Sequence, residues 1–324
     1  LIYEPITHFM PVVDYKDSSV NLYFDRETKQ FIYGLYKGNG IEDIDVYSVN
    51  EHISPLFEYL SSNDMYIAQF YAFNTCIIFF DRSGNVYGYD LIDGTVTEID
   101  NRNNGTNSFR NVKQLSSGDI AVLNSGKVLL YNELDKTVQL VREFDENEFN
   151  YYDISNYGWS LVYTNENDEL YVEDLLSNEV TRIEYKDDFN TTVRGIQPTF
   201  SIYDESIAFI VIGSREGQTL AVINPDKEIQ YTHISDSLGH YSTVNWLRNG
   251  HIGYISNYSI TFIDTLNGKI YKEIELSEAR QIDPFVSTGN RYLIYENANG
   301  SMEAYDCISN NSQVILNEIK SGLY

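Results

Sequence analysis

Between Val112 and Phe144 the chain reads VKQLSSGDIAVLNSGKVLLYNELDKTVQLVREF, and this stretch limits the possible folds more than any other. Four short runs alternate apolar and polar residues: Val112–Leu115, Ile120–Leu123, Lys127–Tyr131 and Thr137–Val141. Ser116-Ser117-Gly118, Asn124-Ser125-Gly126 and Leu134-Asp135-Lys136 separate them. Period-two runs bounded by Gly, Asn, Ser and Asp form half-buried antiparallel strands. A lone meander of four such strands cannot cover both of its faces, so it folds beside copies of itself.

Copies are present along the whole chain. Call the four strands A to D. The turn between C and D sets their register: Ile92-Asp93-Gly94, Leu134-Asp135-Lys136, Leu176-Ser177-Asn178, Asn224-Pro225-Asp226, Leu266-Asn267-Gly268 and Ile308-Ser309-Asn310. The spacing, roughly 42 to 48 residues, is that of a four-stranded unit. Seven repeats follow, over about 1–48, 65–100, 108–144, 149–185, 193–232, 240–275 and 280–317. The longer linker between the first two repeats leaves Ile53–Leu60 as a short helical turn. Proline gives an independent check. Pro11, Pro198 and Pro284 each stand nine residues before a core position of strand B, namely Val20, Ile207 and Leu293. All three therefore share one place in strand A, which tolerates proline if one of its edges is unpaired.

The expected fold is all-β: one domain over 1–324, built as a seven-bladed β-propeller with four antiparallel strands per blade and strand A innermost. The ring is expected to close by packing of the first blade on the seventh, without a blade shared between the termini. The hairpins KVLLYNELDKTV and SITFIDTLNGKI resemble those of seven-bladed propellers of the YVTN and quinoprotein-like type. The Trp-Asp ending of WD40 repeats and the paired Gly-Gly of kelch repeats are missing, so the resemblance implies the fold and no particular activity.

Charge narrows the partners. The chain holds 48 acidic against 22 basic residues, a formal net charge of −26, so nucleic acid and anionic membranes are repelled at long range. A protein or peptide partner is expected, with a small anionic ligand as a further possibility. No apolar run approaches the roughly 18 residues of a membrane helix. The chain is therefore read as soluble, either cytoplasmic or an extracytoplasmic domain whose leader or anchor lies outside this sequence. Cys76 and Cys307 fall in different repeats and read as buried free thiols. No P-loop, G-x-S-x-G or G-x-G-x-x-G is present, and no cofactor is implied.

Arginine is scarce, so its placement carries weight. Arg110, Arg194 and Arg280 stand at the starts of the A strands of repeats 3, 5 and 7. In a propeller these starts open onto the face built by the D–A and B–C loops. Three guanidinium groups there suit a carboxylate or phosphate. The competing reading pairs each with a nearby acid. Tyr152, His240 and Tyr241 complete the candidate ligand-binding set, and Tyr66, Phe149 and Tyr151 fall near the same face. His8 and His240 occupy equivalent places, but two ligands make a poor metal site, so none is assigned. Trp159 and Trp246 are expected to pack between blades. Asn165–Glu169 reads as a solvated turn rather than a calcium loop, since it lacks the glycine such loops use. The function expected is a non-catalytic binding module that presents a loop face or channel mouth. The alternative is a glycan-active lyase or hydrolase working at the channel.

Overall fold

The alternating runs do form strands, and the turn residues between them end those strands. The computed structural model describes residues 10–15, 18–25, 30–37, 40–42, 56, 59–60, 62–63, 65, 67–73, 76–81, 83–90, 92–101, 110–124, 126–145, 149, 151–185, 194–212, 218–235, 243–256, 259–276, 284–286 and 290–316. Among these, 28 strands make seven four-stranded sheets, each with its strands in chain order. Sheet 1 holds β1 (Met10–Tyr15), β2 (Ser18–Asp25), β3 (Gln30–Lys37) and β4 (Gly40–Glu42). Sheet 2 holds β5 (Ile67–Ala72), β6 (Cys76–Asp81), β7 (Val86–Asp90) and β8 (Val96–Asp100). Sheet 3 holds β9 (Arg110–Gln114), β10 (Ile120–Asn124), β11 (Lys127–Asn132) and β12 (Thr137–Glu143). Sheet 4 holds β13 (Tyr151–Ile154), β14 (Ser160–Thr164), β15 (Leu170–Asp174) and β16 (Glu179–Arg182). Sheet 5 holds β17 (Arg194–Phe200), β18 (Ile207–Ile212), β19 (Gln218–Ile223) and β20 (Ile229–Ser235). Sheet 6 holds β21 (Thr243–Trp246), β22 (Ile252–Ile255), β23 (Ser259–Asp264) and β24 (Lys269–Glu275). Sheet 7 holds β25 (Phe285–Val286), β26 (Tyr292–Glu296), β27 (Met302–Asp306) and β28 (Asn311–Leu316).

The chain falls into two compact units. One comprises 1–104, 131–138 and 276–324, and the other comprises 105–130 and 139–275. In the linker, residues 56, 59, 60 and 62 are helical, and Leu56 and Leu60 are buried. Among the described residues no helix is long and apolar enough to cross a membrane.

One turn chemistry recurs at the C–D hairpins. Asp90, Asn132, Asp174, Asp264 and Asp306 each accept, on Oδ1, the amide of the residue two positions on. Such side-chain turns close the hairpin locally. The chain then reverses through a left-handed residue: Gly94, Lys136, Asn178, Lys227, Gly268 and Asn310 all have φ between 54° and 69°. Glycine and asparagine take this conformation most readily, which is why these turns stood out in the sequence.

The proline coincidence has a structural counterpart. Val13 pairs with Val20, Phe200 with Ile207 and Val286 with Leu293. Each proline stands two residues before that partner. In β1 and β17 the pairing register shifts right there, between Pro11 and Val13 and between Ile196 and Thr199. In β17 the bulge leaves Pro198 itself outside the ladder, where its missing N–H is harmless; in β1 Pro11 stands beside the bulge, paired with Asn21.

Burial falls from strand B to strand D. Strands β6, β10, β22 and β26 are buried throughout, whereas β12, β16 and β24 are mostly exposed. B strands read as continuous apolar runs because both of their faces are covered. Within the second unit, β18 illustrates this. Ile207, Phe209 and Val211 pack with Val162, Leu170 and Phe200 toward sheet 4. Ala208 and Ile210, on the other face, pack with Val244, Trp246 and Tyr254 of sheet 6. Sheets 3 and 4 join likewise through Leu115, Leu123, Tyr152 and Leu161, with Phe144 and Phe149 from the connection between them.

Gly126 shows how tight this packing is. Its φ is +90°, and a Cβ built on it would lie 2.6 Å from Phe149 Cε1. Gly118 has a similar φ of +93° with open space around it. Gly118→Ala is expected to cost about 1 kcal/mol, from backbone strain alone. Gly126→Ala should cost about 2–3 kcal/mol, because overpacking adds to that strain. Urea unfolding of the two variants gives the comparison, and equal losses would mean that Phe149 yields freely.

Candidate functional site

The site expected from the sequence lies where A strands begin. In the second unit Arg110 opens β9 and pairs with Asn124, the last residue of β10. Arg194 opens β17 and pairs with Ile212, the last residue of β18. The two arginines thus hold the same register position in alternate sheets. Tyr151, paired with Thr164, has this place in sheet 4, and Thr243, paired with Ile255, has it in sheet 6. The four positions share the end of their sheets at which the B–C connections lie. Burial, with the nearby Asp168 charge, pushes the Tyr151 phenol above its ordinary range, so it stays a neutral hydroxyl at neutral pH. Arg280, His240 and Tyr241 lie outside the described residues, as do His8, His52 and Tyr66.

Two aromatic side chains of the expected set serve the core instead. Tyr152 is buried, with its ring against Phe144 and Phe149. Its hydroxyl accepts the Gly126 amide at 3.1 Å and donates to the Lys127 carbonyl at 3.4 Å. Tyr151 and Tyr152 point to opposite faces of β13, and the inward one is committed to joining sheets 3 and 4. Phe149 is buried in the same cluster.

Beneath the A-strand starts lies a charged pair that the sequence reading missed. Asp153 of β13 is buried. Its Oδ2 accepts from Lys113 Nζ at 3.2 Å, from the Phe200 amide at 2.8 Å and from Thr199 Oγ1 at 3.2 Å. Lys113 Nζ also donates to the Ile154 carbonyl at 2.9 Å. One carboxylate therefore ties β9, β13 and β17 together and fixes the spacing of the strands that carry Arg110, Tyr151 and Arg194. The signal for it was a charge inside each of two otherwise alternating A strands.

The two tryptophans part company. Trp246 is buried between sheets 5 and 6, and its Nε1 donates to the Thr199 carbonyl at 3.1 Å, as expected for inter-sheet packing. Trp159 corrects the expectation. It is 56% exposed and stacks on Tyr157 in the A–B loop of sheet 4. The left-handed Gly158 (φ +75°) turns the chain just before it, and β14 begins only at Ser160, so Trp159 escapes the strand's inward alternation.

The acidic stretch Asn165–Glu169 is internally satisfied. Asn165 Oδ1 accepts the amides of Asn167 and Glu169, and Asn165 Nδ2 donates to Glu169 at 2.9 Å. Glu169 also takes the Tyr171 hydroxyl and pairs with Arg182 at 2.8 Å. These partners, Asn165 first, hold its carboxyl below the usual range. Among the described residues no group of three or more His, Cys, Asp or Glu is placed to hold a metal ion. Cys76 and Cys307 are buried free thiols, and burial, assisted by Glu133, pushes the Cys76 thiol far above its ordinary pKa.

No protein-family model matches the sequence, and no curated protein matches it. Solved structures do resemble the fold. Hsv2 of Kluyvelomyces marxianus is 9% identical with a TM-score of 0.54, over 97% of this chain and 98% of that one. The β-propeller domain of Cps50 (Swd1) from Myceliophteria thermophila is 11% identical with a TM-score of 0.53, over 76% of this chain and 84% of that one. Virginiamycin B lyase of Staphylococcus aureus is 12% identical with a TM-score of 0.53, over 76% and 83%. At such identities the likeness is one of fold, and it makes this chain propeller-type.

Proposed function

We propose that the protein is a non-catalytic binding module whose seven sheets are the blades of one closed ring. The end of the ring at the A-strand starts takes a small anion or the acidic end of a partner protein, with Arg110, Arg194, Arg280, His240 and Tyr241 as the residues that meet it. The observation carrying this reading is the shared register position of Arg110 and Arg194, each opposite the last residue of its B strand in alternate sheets. Tyr151, at the same position between them, adds a neutral hydroxyl donor. Local positive charge outweighs a net charge of −26 at short range, because salt screens distant charges over about 10 Å.

Propellers of this kind include an enzyme, the lyase, as well as the Cps50 domain, so a glycan-active enzyme is the competing reading. Titration with a penta-glutamate peptide separates them. Arg194→Ala is expected to weaken binding about tenfold or more, the worth of a charge-assisted hydrogen bond. Affinity should also fall as salt rises. Equal affinity in wild type and variant, or depolymerisation of a polysaccharide by the purified protein, overturns the proposal.

A further inference from the structure

At the opposite end of sheets 4 and 5, the A–B loops carry an aromatic surface. Trp159 and Tyr157 stack with ring centroids 5.6 Å apart and planes at 30°. The Tyr157 hydroxyl reaches the Tyr203 carbonyl at 3.5 Å, and the Tyr203 hydroxyl donates to the Arg248 carbonyl. The Leu175 amide donates to the Trp159 carbonyl at 2.8 Å, which brings the C–D turn of sheet 4 beside the pair. Tyr157, Tyr203 and Leu176 are 43%, 52% and 74% exposed. Large apolar side chains grouped in the open mark an interaction surface. The tyrosines are tethered at their hydroxyl ends, so little side-chain freedom remains to be lost when a partner arrives.

The charge around this surface selects the partner. The segments Asn156–Trp159, Asp174–Glu179 and Ile202–Ser206 contain Asp174, Glu179, Asp204 and Glu205, and no lysine or arginine; the exposed Arg248, whose carbonyl holds Tyr203, is the basic residue beside them. Backbone amides of Ser177 and Leu176 hold the Asp174 carboxyl below its usual range, so it is ionised at neutral pH. Glu205 is half-buried, and its Oε1, shielded from solvent, accepts no hydrogen bond from any described residue. Exposed indole and phenol rings among carboxylates attract a guanidinium, which stacks on the ring face and donates to the acids at its edge.

We propose that the A–B loop edge of sheets 4 and 5 binds an arginine-bearing segment of a partner protein, with a guanidinium lying over Trp159 and Asp204 and Glu205 meeting its charge. This surface is separate from the anion site at the other end of the sheets. The overall negative charge steers such a segment inward from a distance.

Hexa-arginine, labelled with fluorescein and followed by anisotropy, is the probe. In wild type, binding should also perturb tryptophan emission, and with Trp246 buried the change reports Trp159. At about 0.15 M salt, where long-range attraction is damped, Trp159→Ala is expected to weaken binding about five- to tenfold. Trp159→Phe should restore part of that loss, and Asp204→Asn with Glu205→Gln should weaken binding severalfold. Trp159 is largely exposed and belongs to neither of the core clusters that sheet 4 joins, so circular dichroism and the melting temperature should stay unchanged. Undiminished affinity in Trp159→Ala reduces the interaction to general charge attraction and overturns the proposal. A response of Trp159 emission to maltohexaose, with none to hexa-arginine, overturns it in favour of a glycan surface.

Discussion

Replacing Asp153 with Ala is expected to destabilise the protein by about 3–5 kcal/mol, the range for breaking a buried ion pair from one side. The loss has two sources. Lys113, whose side chain is only 16% exposed, is left with a charge and the Ile154 carbonyl as its partner. The Phe200 amide and the Thr199 hydroxyl lose their acceptor, and an orphaned buried donor costs about 1–3 kcal/mol. Asp153→Asn should cost less, since an amide oxygen still accepts from Phe200. Substituting both partners with apolar residues, as in Lys113→Met with Asp153→Leu, should recover much of the loss, because the ammonium no longer needs its counterion. Urea unfolding of the single and double variants measures each step. A loss below about 1 kcal/mol in Asp153→Ala would mean that the site takes up water and that the pair does not set strand spacing.

The turns and strands were legible because their causes are local. An Asp or Asn, three further residues and a left-handed Gly, Asn or Lys close the C–D hairpins of sheets 2, 3, 4, 6 and 7 within five positions. The B strands announce themselves as unbroken apolar runs because both faces are covered. Trp159 was misread for an equally local reason. With period two, a shift of one residue at a strand start reverses the face, and the left-handed Gly158 makes that shift. Tyr151 and Tyr152 posed the same problem from the other side. Two adjacent tyrosines open β13, and only the register with Thr164 and Tyr163 settles which one turns inward. The Lys113–Asp153 pair joins residues forty positions apart, so the charge inside each A strand was visible locally but the pairing was not. The backbone places of Arg110 and Arg194 could be read from spacing, but spacing does not say what meets them.

Arg291→Leu should produce the other large effect, a loss of about 3–4 kcal/mol at neutral pH, and one that acid reverses. Both partners are buried, and the guanidinium holds Asp306 through two parallel bonds, Nε to Oδ1 at 3.2 Å and Nη2 to Oδ2 at 3.0 Å. Burial alone would raise the Asp306 carboxyl. The Arg291 bonds and the Ile308 amide together outweigh it, and the group sits below its ordinary value. A carboxyl lowered by folding adds stability that is complete above its unfolded pKa of about 3.9 and fades as pH falls through the folded value. Without Arg291 the carboxylate is buried with its main counter-charge gone, a penalty that protonation removes. The stability gap between wild type and Arg291→Leu should therefore be widest at neutral pH and narrow below about pH 4. Asp306→Asn isolates the charge, because Asn132 fills the equivalent turn position in sheet 3 and caps it with the same geometry. Urea midpoints for the three proteins between neutral pH and about pH 3 decide the matter. A gap that stays constant over that span would show that Arg291 contributes by packing on the Tyr292 ring, 5.0 Å away, and not through its charge.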